Sequence, residues 1–256
     1  MNKTNIFPNQ NLLNHFQTVS LDDLDRVRLL DRQDTKFVFN QNALAHILEK
    51  LNPFYRILEI NNDRFYSYDT TYFDTDNFLF YVQHHNGSRN RFKVRFRKYS
   101  SNKKSYFEIK IKNNKDRTIK KRLIVDEINE YLGIQETDLV SKITGLSPSQ
   151  LTPKLELEFS RITLTDNNFN ERLTIDANLS AKNGTNNKVF DQLIISEIKQ
   201  NKYNPKSDFI RILRNLKIQE MRFSKYCMGL LHVNNKLKYN RFKPRLTQIN
   251  KILAES

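Results

Sequence analysis

The chain has 256 residues, of which 43 are Lys or Arg and 28 are Asp or Glu, so its formal net charge is +15. This length suffices for one large domain, and the excess of positive charge indicates an anionic partner such as nucleic acid, phosphate or an anionic surface. Its single cysteine excludes an internal disulfide, and no stretch has the apolar length of a signal peptide or transmembrane helix, so we expect a cytoplasmic protein.

Three parts are distinguished along the chain. Residues 1–20 are polar and Asn-rich and predict a loosely ordered lead-in, residues 21–235 predict the folded domain, and residues 236–256 form a basic tail. Helices are predicted after the N-cap candidates Ser20 and Asn40 and after Asp74. Further helices are predicted at "GIQETDLVSKITGL", "SDFIRILRNL" and "RFSKYCMGLL".

Strand character dominates the rest of the domain. β-formers are frequent, and short connections between the later strands favour an antiparallel sheet. The predicted strands are "DRQDTKFVF", "YRILEI", "RFYSYDTTYF", "RFKVRFRKY", "SYFEIKIK", "RTIKKRLIV", "KLELEFSRITL", "ERLTIDANL" and "QLIISEIKQ".

Most of these strands have one charged and one apolar face. In "RFKVRFRKY", period two places Lys93, Arg95 and Arg97 opposite Val94 and Phe96. Two arrangements explain this alternation. An open sheet with its charged face in solvent would suit nucleic-acid backbones, whereas a closed barrel with a charged interior would need a polyanionic ligand.

The interior arrangement is favoured by acidic residues among the cations, at Asp34, Glu108 and Glu197, because a divalent metal that bridges phosphate oxygens needs such ligands. Single cations on separate strands, Arg161 and Arg172, can also converge inside a barrel. No nucleic-acid-binding motif is found in the sequence, so a specific nucleic-acid partner is not expected.

Six motifs occur in a particular order: "DRQDTKFVF", "SYDTTYFDTDNFLFYVQHHNGSRNRFKVRFRKY", "FEIKIK", "RLTID", "SEIKQ" and "FSKYCMGLL". Over residues 25 to 232, their order and spacing resemble the VTC domain, the catalytic domain of vacuolar transporter chaperone polyphosphate polymerases. That family belongs to the triphosphate tunnel metalloenzymes. The resemblance therefore implies an α+β fold, a closed antiparallel β-barrel tunnel of about eight strands with helices packed outside.

The resemblance also implies a set of site residues. Glu197 would bind a divalent metal ion, Mn²⁺ or Mg²⁺, with Asp34 as a candidate second ligand. Lys199 and Lys225 are the candidates for a catalytic role. The side chains that would contact phosphate are Lys36, Arg95, Arg97, Lys110, Arg161, Arg172, Lys199 and Lys225.

The first strand departs from the wider superfamily, which has Glu-x-Glu-x-Lys where this chain has Arg32, Asp34 and Lys36. The smaller number of acids implies a site with one metal ion.

Several other residues have simpler interpretations. Lys93 is placed either at the tunnel mouth or on the surface. Glu156 and Glu158 are expected on a solvated strand face, although they resemble a metal pair. His84 and His85 are expected at a helix end, Ser224 is not expected to be a nucleophile, and Cys227 is expected in the core.

The function implied by the resemblance is a metal-dependent polyphosphate polymerase that transfers the γ-phosphate of ATP to a growing chain. The alternatives are a tripolyphosphatase or nucleoside triphosphatase with the same site, and a non-catalytic binder of polyphosphate or nucleic acid. The expected partners are ATP, polyphosphate or tripolyphosphate, together with a membrane protein for export of the product.

Overall fold

The structure, a computed structural model, describes residues 7–26, 33–101, 104–113 and 118–254, except for the side chains of residues 25 and 26. Within these ranges most strands follow one another directly, in two runs separated by α5. The helices are α1 (Gln10–Leu13), α2 (Leu21–Arg26), α3 (Leu44–Leu51), α4 (Leu79–Asn86), α5 (Ile134–Thr144), α6 (Asp208–Asn215), α7 (Lys225–Val233) and α8 (Lys243–Ala254). The strands are β1 (Thr18–Val19), β2 (Gln33–Asn40), β3 (Tyr55–Leu58), β4 (Tyr66–Asp74), β5 (Arg91–Tyr99), β6 (Ser105–Lys112), β7 (Thr118–Val125), β8 (Thr152–Asp166), β9 (Glu171–Asn183), β10 (Asn186–Val189) and β11 (Leu193–Gln200).

The strands form one large sheet whose main path runs in the order β2-β11-β9-β8-β4-β5-β6-β7. All neighbours along this path are antiparallel, as predicted. Three short strands lie off the path, with β1 beside β3, β3 beside β8 and β10 beside β9.

The closed barrel expected from the sequence is not confirmed, because the sheet is open. Its two end strands, β2 and β7, share no backbone pairing in the described part of the chain. β7 is exposed along most of its length and carries Lys120, Lys121 and Arg122. Consecutive cations on an edge strand discourage further strand pairing, which gives a physical reason for the open edge.

The sheet is nevertheless strongly curved. Lys36 on β2 and Lys110 on β6 lie near opposite ends of the strand path, yet they are close enough to interact electrostatically. The face that carries both lysines is therefore concave, and we call it the concave face. The opposite face is apolar, with Val94 and Phe96 buried on β5. Helices α1, α3 and α6 cover this apolar face at the β2 side, and α4 and α5 cover it at the β5–β6 side.

Helix α7 packs on the concave face itself. Its apolar residues join Leu155, Leu157 and Ala181 of the sheet in one core cluster. The close approach requires Gly229, because a Cβ there would lie 3.0 Å from a methyl carbon of Leu157. This packing brings the N-terminal end of α7, with Lys225, to the centre of the sheet.

The predicted helix start at Asn40 is confirmed, because Asn40 caps a 3₁₀ turn, Gln41–Ala43, that leads into α3. The helix predicted to open at Asp74 begins later, at Leu79, and Asp74 is the last residue of β4. The Asn40 side chain accepts a hydrogen bond from the Asn42 amide at 2.9 Å. The buried Asp74 carboxylate accepts from the amides of Phe80 and Tyr81 in the first turn of α4. Ser20 precedes α2, and the remainder of that predicted helix lies outside the described residues.

Both terminal segments contribute more structure than the sequence suggests. Phe7, Leu13 and Phe16 of the expected lead-in are buried in the core beneath α3. The expected basic tail forms α8, whose Ile249 is buried beside α7. Within the described ranges, every helix is too short or too polar to span a membrane.

Candidate functional site

The concave face gathers most of the predicted phosphate-binding residues. Arg95 and Arg97 on β5 share it, as the period-two pattern predicts, because Val94 and Phe96 point into the opposite core. Lys36 interacts electrostatically with Asp176 and Arg161, so the charged groups of β2, β8 and β9 form one electrostatic unit.

Asp176 of β9 lies at the centre of this unit and is 2% exposed. Arg161 donates two hydrogen bonds to its carboxylate, at 2.5 and 2.8 Å, and the Lys225 ammonium donates a third at 2.5 Å. Burial alone would raise the pKa of Asp176, but the two cations outweigh burial and hold the pKa below its usual range. The carboxylate thus fixes two predicted phosphate ligands in place.

Glu108 of β6 is likewise a buried carboxylate, 1% exposed, and it binds cations of β5 and β7. Arg95 donates to its Oε2 atom at 2.9 and 2.6 Å, while Lys120 and Arg122 donate to Oε1. Burial opposes ionisation, but these cations keep the pKa of Glu108 below its usual range. With both oxygens occupied, Glu108 serves as a counter-ion to arginine and lysine.

A third cluster contains the predicted metal ligands. The Lys199 Nζ atom lies 3.4 Å from Asp34 Oδ2 and contacts Glu197 Oε1. Lys36 Nζ lies 3.3 Å from the other Glu197 oxygen. The side chains of Asp34 and Glu197 are 29% and 20% exposed, so the cluster opens to solvent.

Asp34 and Glu197 are the carboxylates of this cluster that could hold a divalent cation. One ammonium, that of Lys199, lies between two carboxylates from neighbouring strands, which shows that Asp34 and Glu197 can approach a single cation. Among the described residues, no group of three or more His, Cys, Asp or Glu side chains could hold a metal. Two carboxylates alone are typical of Mg²⁺ sites in which substrate phosphates supply further ligands.

Two predicted phosphate ligands have no carboxylate in contact within the described part of the chain. Arg97 is 9% exposed and donates to Thr70 Oγ1 at 3.2 Å, and its guanidinium lies over the rings of Tyr68 and Phe159. Burial and the neighbouring Arg95 lower the pKa of Arg97. For Lys110, burial together with Lys93 and Lys36 lowers the pKa to about 7. Asp34 and Glu108 offset this effect only in part, so the concave face keeps an excess of positive charge at Lys110 and Arg97.

The remaining site residues hold structural contacts. Arg172 donates a hydrogen bond to the Leu24 carbonyl of α2 and lies across from Lys199 in the sheet. Lys93 lies on the concave face, where its ammonium donates to Ser224 Oγ at 3.2 Å. Ser224 is the N-cap of α7 and accepts from the Cys227 amide. Arg32 lies outside the described residues.

The simpler interpretations of the other candidates are confirmed. Glu156 and Glu158 are exposed on β8, and Glu156 lies 4.0 Å from the exposed Lys182. His84 and His85 belong to the last turn of α4. Burial and the charge of Lys93 hold the pKa of His84 well below its usual value. Cys227 is buried in the core.

Two residues at the centre of the site, Asp176 and Tyr72, are not among those predicted from the sequence. Asp176 follows Arg172 at an even spacing in "RLTID", so period two already predicts that both face the same side. Tyr72 is an aromatic residue in an aromatic-rich strand, and its position among arginines depends on pairing with β5. For Tyr72 the sequence offered no local signal.

The curved antiparallel sheet, with buried and partly buried cations on its concave face, defines the class of an α+β protein with a cationic site. The family model of the VTC domain matches residues 31–234, which is most of the chain, and the chain therefore belongs to the VTC domain family. This membership supports an enzyme of the triphosphate-tunnel kind, whose superfamily generally uses divalent metal ions. Among curated proteins, none matches the chain.

Solved structures give weaker similarities. A proposed adenylate cyclase from Bacillus halodurans is 14% identical with a TM-score of 0.48, covering 76% of this chain and 96% of its own. HpAC1 from Hippeastrum, described as having a dominant triphosphatase activity, is 13% identical with a TM-score of 0.49 and coverages of 80% and 96%. The PH1819 protein from Pyrococcus horikoshii is 13% identical with a TM-score of 0.43 and coverages of 78% and 99%. No statement about chemistry follows from similarities at this level.

Proposed function

We propose that this protein is a metal-dependent polyphosphate polymerase that transfers the γ-phosphate of ATP to the end of a polyphosphate chain. The observation that carries the proposal is the set of cations on the concave face, two of which lack a carboxylate in contact among the described residues. In a VTC-domain protein, a linear triphosphate is the anion that such a set would bind.

Binding follows from the charges of this chain. Arg95, Arg97 and Arg161 present forked donors that can hold phosphate oxygens in fixed directions, whereas Lys36 and Lys110 supply compact positive charges. A hydrogen bond to a charged group contributes about 1.5–3 kcal/mol, so several of them account for tight binding of a triphosphate. Asp176 and Glu108 keep the arginines oriented before the ligand arrives.

The transfer itself requires positioning and charge neutralisation more than covalent chemistry. A terminal oxygen of the polyphosphate chain would attack the γ-phosphorus, the bond from that phosphorus to the β,γ-bridging oxygen would break, and ADP would leave. Lys225 and Lys199 are the proposed catalytic cations, which would neutralise charge on the transferred group. The pKa of Lys225 is lowered by burial to about 8, so its ammonium remains protonated at neutral pH.

Asp34 and Glu197 would hold Mn²⁺ or Mg²⁺. When bound, such an ion polarises the phosphoryl group and neutralises charge that develops during transfer. The protein's part is to offer the two carboxylates on neighbouring strands, with Lys36 and Lys199 beside them.

Polymerisation is further supported by basic residues that continue away from the site. Arg245 of α8 interacts electrostatically with Arg222, which lies three residues before Lys225. Exposed cations follow along the C-terminal segment and would guide an anionic product chain out of the site. They are Lys236, Lys238, Arg241, Lys243 and Lys251.

A triphosphatase is the second candidate, and the open edge between β2 and β7 is the observation that favours it. Water that enters at this edge could replace the phosphate chain as the attacking group.

One incubation separates the candidates. Purified protein is mixed with ATP and Mn²⁺ or Mg²⁺, long polyphosphate is stained on a gel, and free phosphate is assayed. We expect polyphosphate and ADP to form together. Free phosphate without long chains would indicate the triphosphatase. If neither polyphosphate nor free phosphate forms, the protein is a non-catalytic binder.

The pH dependence of binding provides a second test, centred on Lys110. Because burial lowers the pKa of this lysine to about 7, its positive charge is present below that pH and is lost as pH rises through it. Tripolyphosphate affinity should therefore fall from about pH 6 to about pH 8, by up to about tenfold per unit for a single proton. The charged or titratable groups that face Lys110 are Lys93 and Arg95 on β5, Lys36 and Asp34 on β2, Lys120 on β7 and His84 on α4.

The matched variant is Lys110→Arg, because arginine stays protonated throughout this range. The ratio of its affinity to that of the wild type should rise with pH, since titration of the ligand and of other residues cancels in the ratio. Isothermal titration calorimetry in EDTA measures both proteins. A ratio independent of pH would remove Lys110 from the phosphate site.

A further inference from the structure

The hydroxyl group of Tyr72 lies among the cations of the concave face, and the residue is 4% exposed. Arg95 Nη1 donates a hydrogen bond to this hydroxyl at 3.0 Å. A guanidinium has donors only, so the hydroxyl oxygen accepts in this bond and its own proton remains for another acceptor. Within the described part of the chain, no side chain or carbonyl accepts that proton.

The groups around Tyr72 show what kind of acceptor would fit. Arg95 is itself paired with the Glu108 carboxylate of β6. The other charges near the hydroxyl are cationic and come from β5 and β2, whereas β8 contributes the apolar Leu155 opposite Tyr72. An anion is the ligand that could accept the Tyr72 proton and also be stabilised by these cations. The charged and titratable neighbours are Lys93, Arg95 and Arg97 on β5, Lys36 on β2 and Tyr226 on α7.

We propose that Tyr72 is a further phosphate-binding residue, which donates its hydroxyl proton to an oxygen of the bound triphosphate next to Arg95. The inference rests on the proposed function in one respect, the presence of a triphosphate on the concave face. Arg95 and Tyr72 then form a pair of donors on neighbouring strands. The ring of Tyr72 packs 4.9 Å from that of Tyr226 on α7, which holds the hydroxyl in position.

The ionisation of Tyr72 provides a signature that a purely structural tyrosine lacks. Burial alone would raise its pKa, but Arg95, Arg97 and Lys93 outweigh burial and lower the pKa to about 8. In the ligand-free protein the phenol therefore loses its proton as pH rises through about 8. A triphosphate needs the protonated phenol as donor, so binding above this pH takes up the proton again.

The first experiment compares Tyr72→Phe with Tyr81→Phe. Tyr81 is also a buried tyrosine, but its hydroxyl donates to the Lys238 carbonyl, so the control loses the same atom outside the cationic site. Tripolyphosphate binding is measured by calorimetry at neutral pH in EDTA. We expect Tyr72→Phe to bind about tenfold more weakly or worse, and Tyr81→Phe to bind as the wild type does.

The second experiment uses the wild-type protein and needs no variant to fold. Tyrosinate absorbance is recorded across pH with and without tripolyphosphate, and bound ligand should move the ionisation that occurs near pH 8 to higher pH. A tyrosine distant from the bound anion would show no such shift, whereas a tyrosine that is merely close to it would show the shift without any loss of affinity in the phenylalanine variant. The affinity ratio of wild type to Tyr72→Phe should also decrease as pH rises above about 8, because only the wild type must regain a proton.

The outcomes separate this inference from the proposed function. If the wild type does not bind tripolyphosphate, the proposed function fails. If the wild type binds but Tyr72→Phe binds equally well, or the tyrosinate signal ignores the ligand, Tyr72 is not a phosphate ligand and the inference is overturned.

Discussion

Replacement of Glu197 by glutamine is expected to lower ATP turnover by on the order of a thousandfold. Metal stabilisation of a transferred phosphoryl group is worth several kcal/mol, and each 1.4 kcal/mol corresponds to a factor of ten in rate. Glutamine keeps the size of the side chain but removes the charge that would hold the ion. Turnover is measured as ADP release with Mn²⁺ or Mg²⁺ at saturating concentrations.

Binding in the absence of metal should respond in the opposite direction. Glu197 neutralises Lys36 and Lys199, so its loss makes the concave face more positive. Tripolyphosphate affinity in EDTA should therefore be retained or increased in Glu197→Gln. Glu158→Gln is the matched control, because Glu158 is an exposed carboxylate of β8 outside the site. Full metal-dependent turnover in Glu197→Gln would show that this residue does not hold the ion.

The sequence predicted the strands of the site well because each carries the same alternation. On β5, Val94 and Phe96 must enter a core, so period two places Arg95 and Arg97 on the other face whatever the topology. The same reasoning correctly assigns Glu197 and Lys199 to one face of β11, where they contact each other. The face of the sheet on which a side chain lies is set by alternation within its own strand, so the local sequence determines it.

Closure of the sheet could not be predicted in the same way. Whether β2 pairs with β7 depends on curvature summed over all intervening strands, and no single segment encodes that sum. The burial of residues in the terminal segments is not evident from the sequence for a related reason. Phe7, Leu13 and Phe16 are sparse apolar residues among polar ones, and only their packing against α3 in the folded chain shows that they are core residues.

The sequence also does not predict which cation pairs with which carboxylate. Arg95 and Arg97 look equivalent in "KVRFR", yet Arg95 has Glu108 beside it and Arg97 has only Thr70 and two aromatic rings among the described residues. Which arginine receives a counter-ion depends on the register between β5 and β6, which places Arg95 opposite Glu108. The two arginines therefore differ in their contribution to the stability of the folded protein.

This difference leads to opposite expected effects on stability. Arg97→Met replaces a buried cation that has no carboxylate partner in the described part of the chain by an apolar side chain of similar length. Stability of the ligand-free protein should rise by about 1 kcal/mol or more, because an uncompensated buried charge is unfavourable, and the thermal midpoint should rise by roughly 2–4 °C per kcal/mol. Arg95→Met should lower the midpoint, because it removes the arginine that donates two hydrogen bonds to the buried Glu108.

Binding should change in the same direction for both variants. Each would lose a proposed donor to phosphate, worth about 1.5–3 kcal/mol, so tripolyphosphate affinity should fall by about tenfold or more in either case. Thermal unfolding with and without tripolyphosphate measures both quantities on one sample, since a ligand raises the midpoint according to its affinity. Midpoints that shift together in the two ligand-free variants would contradict the assigned charge pairing. If tripolyphosphate raises the midpoint of Arg97→Met as much as that of the wild type, Arg97 does not bind phosphate. Higher stability of the ligand-free variant combined with weaker binding would show that Arg97 destabilises the fold and contributes to ligand binding.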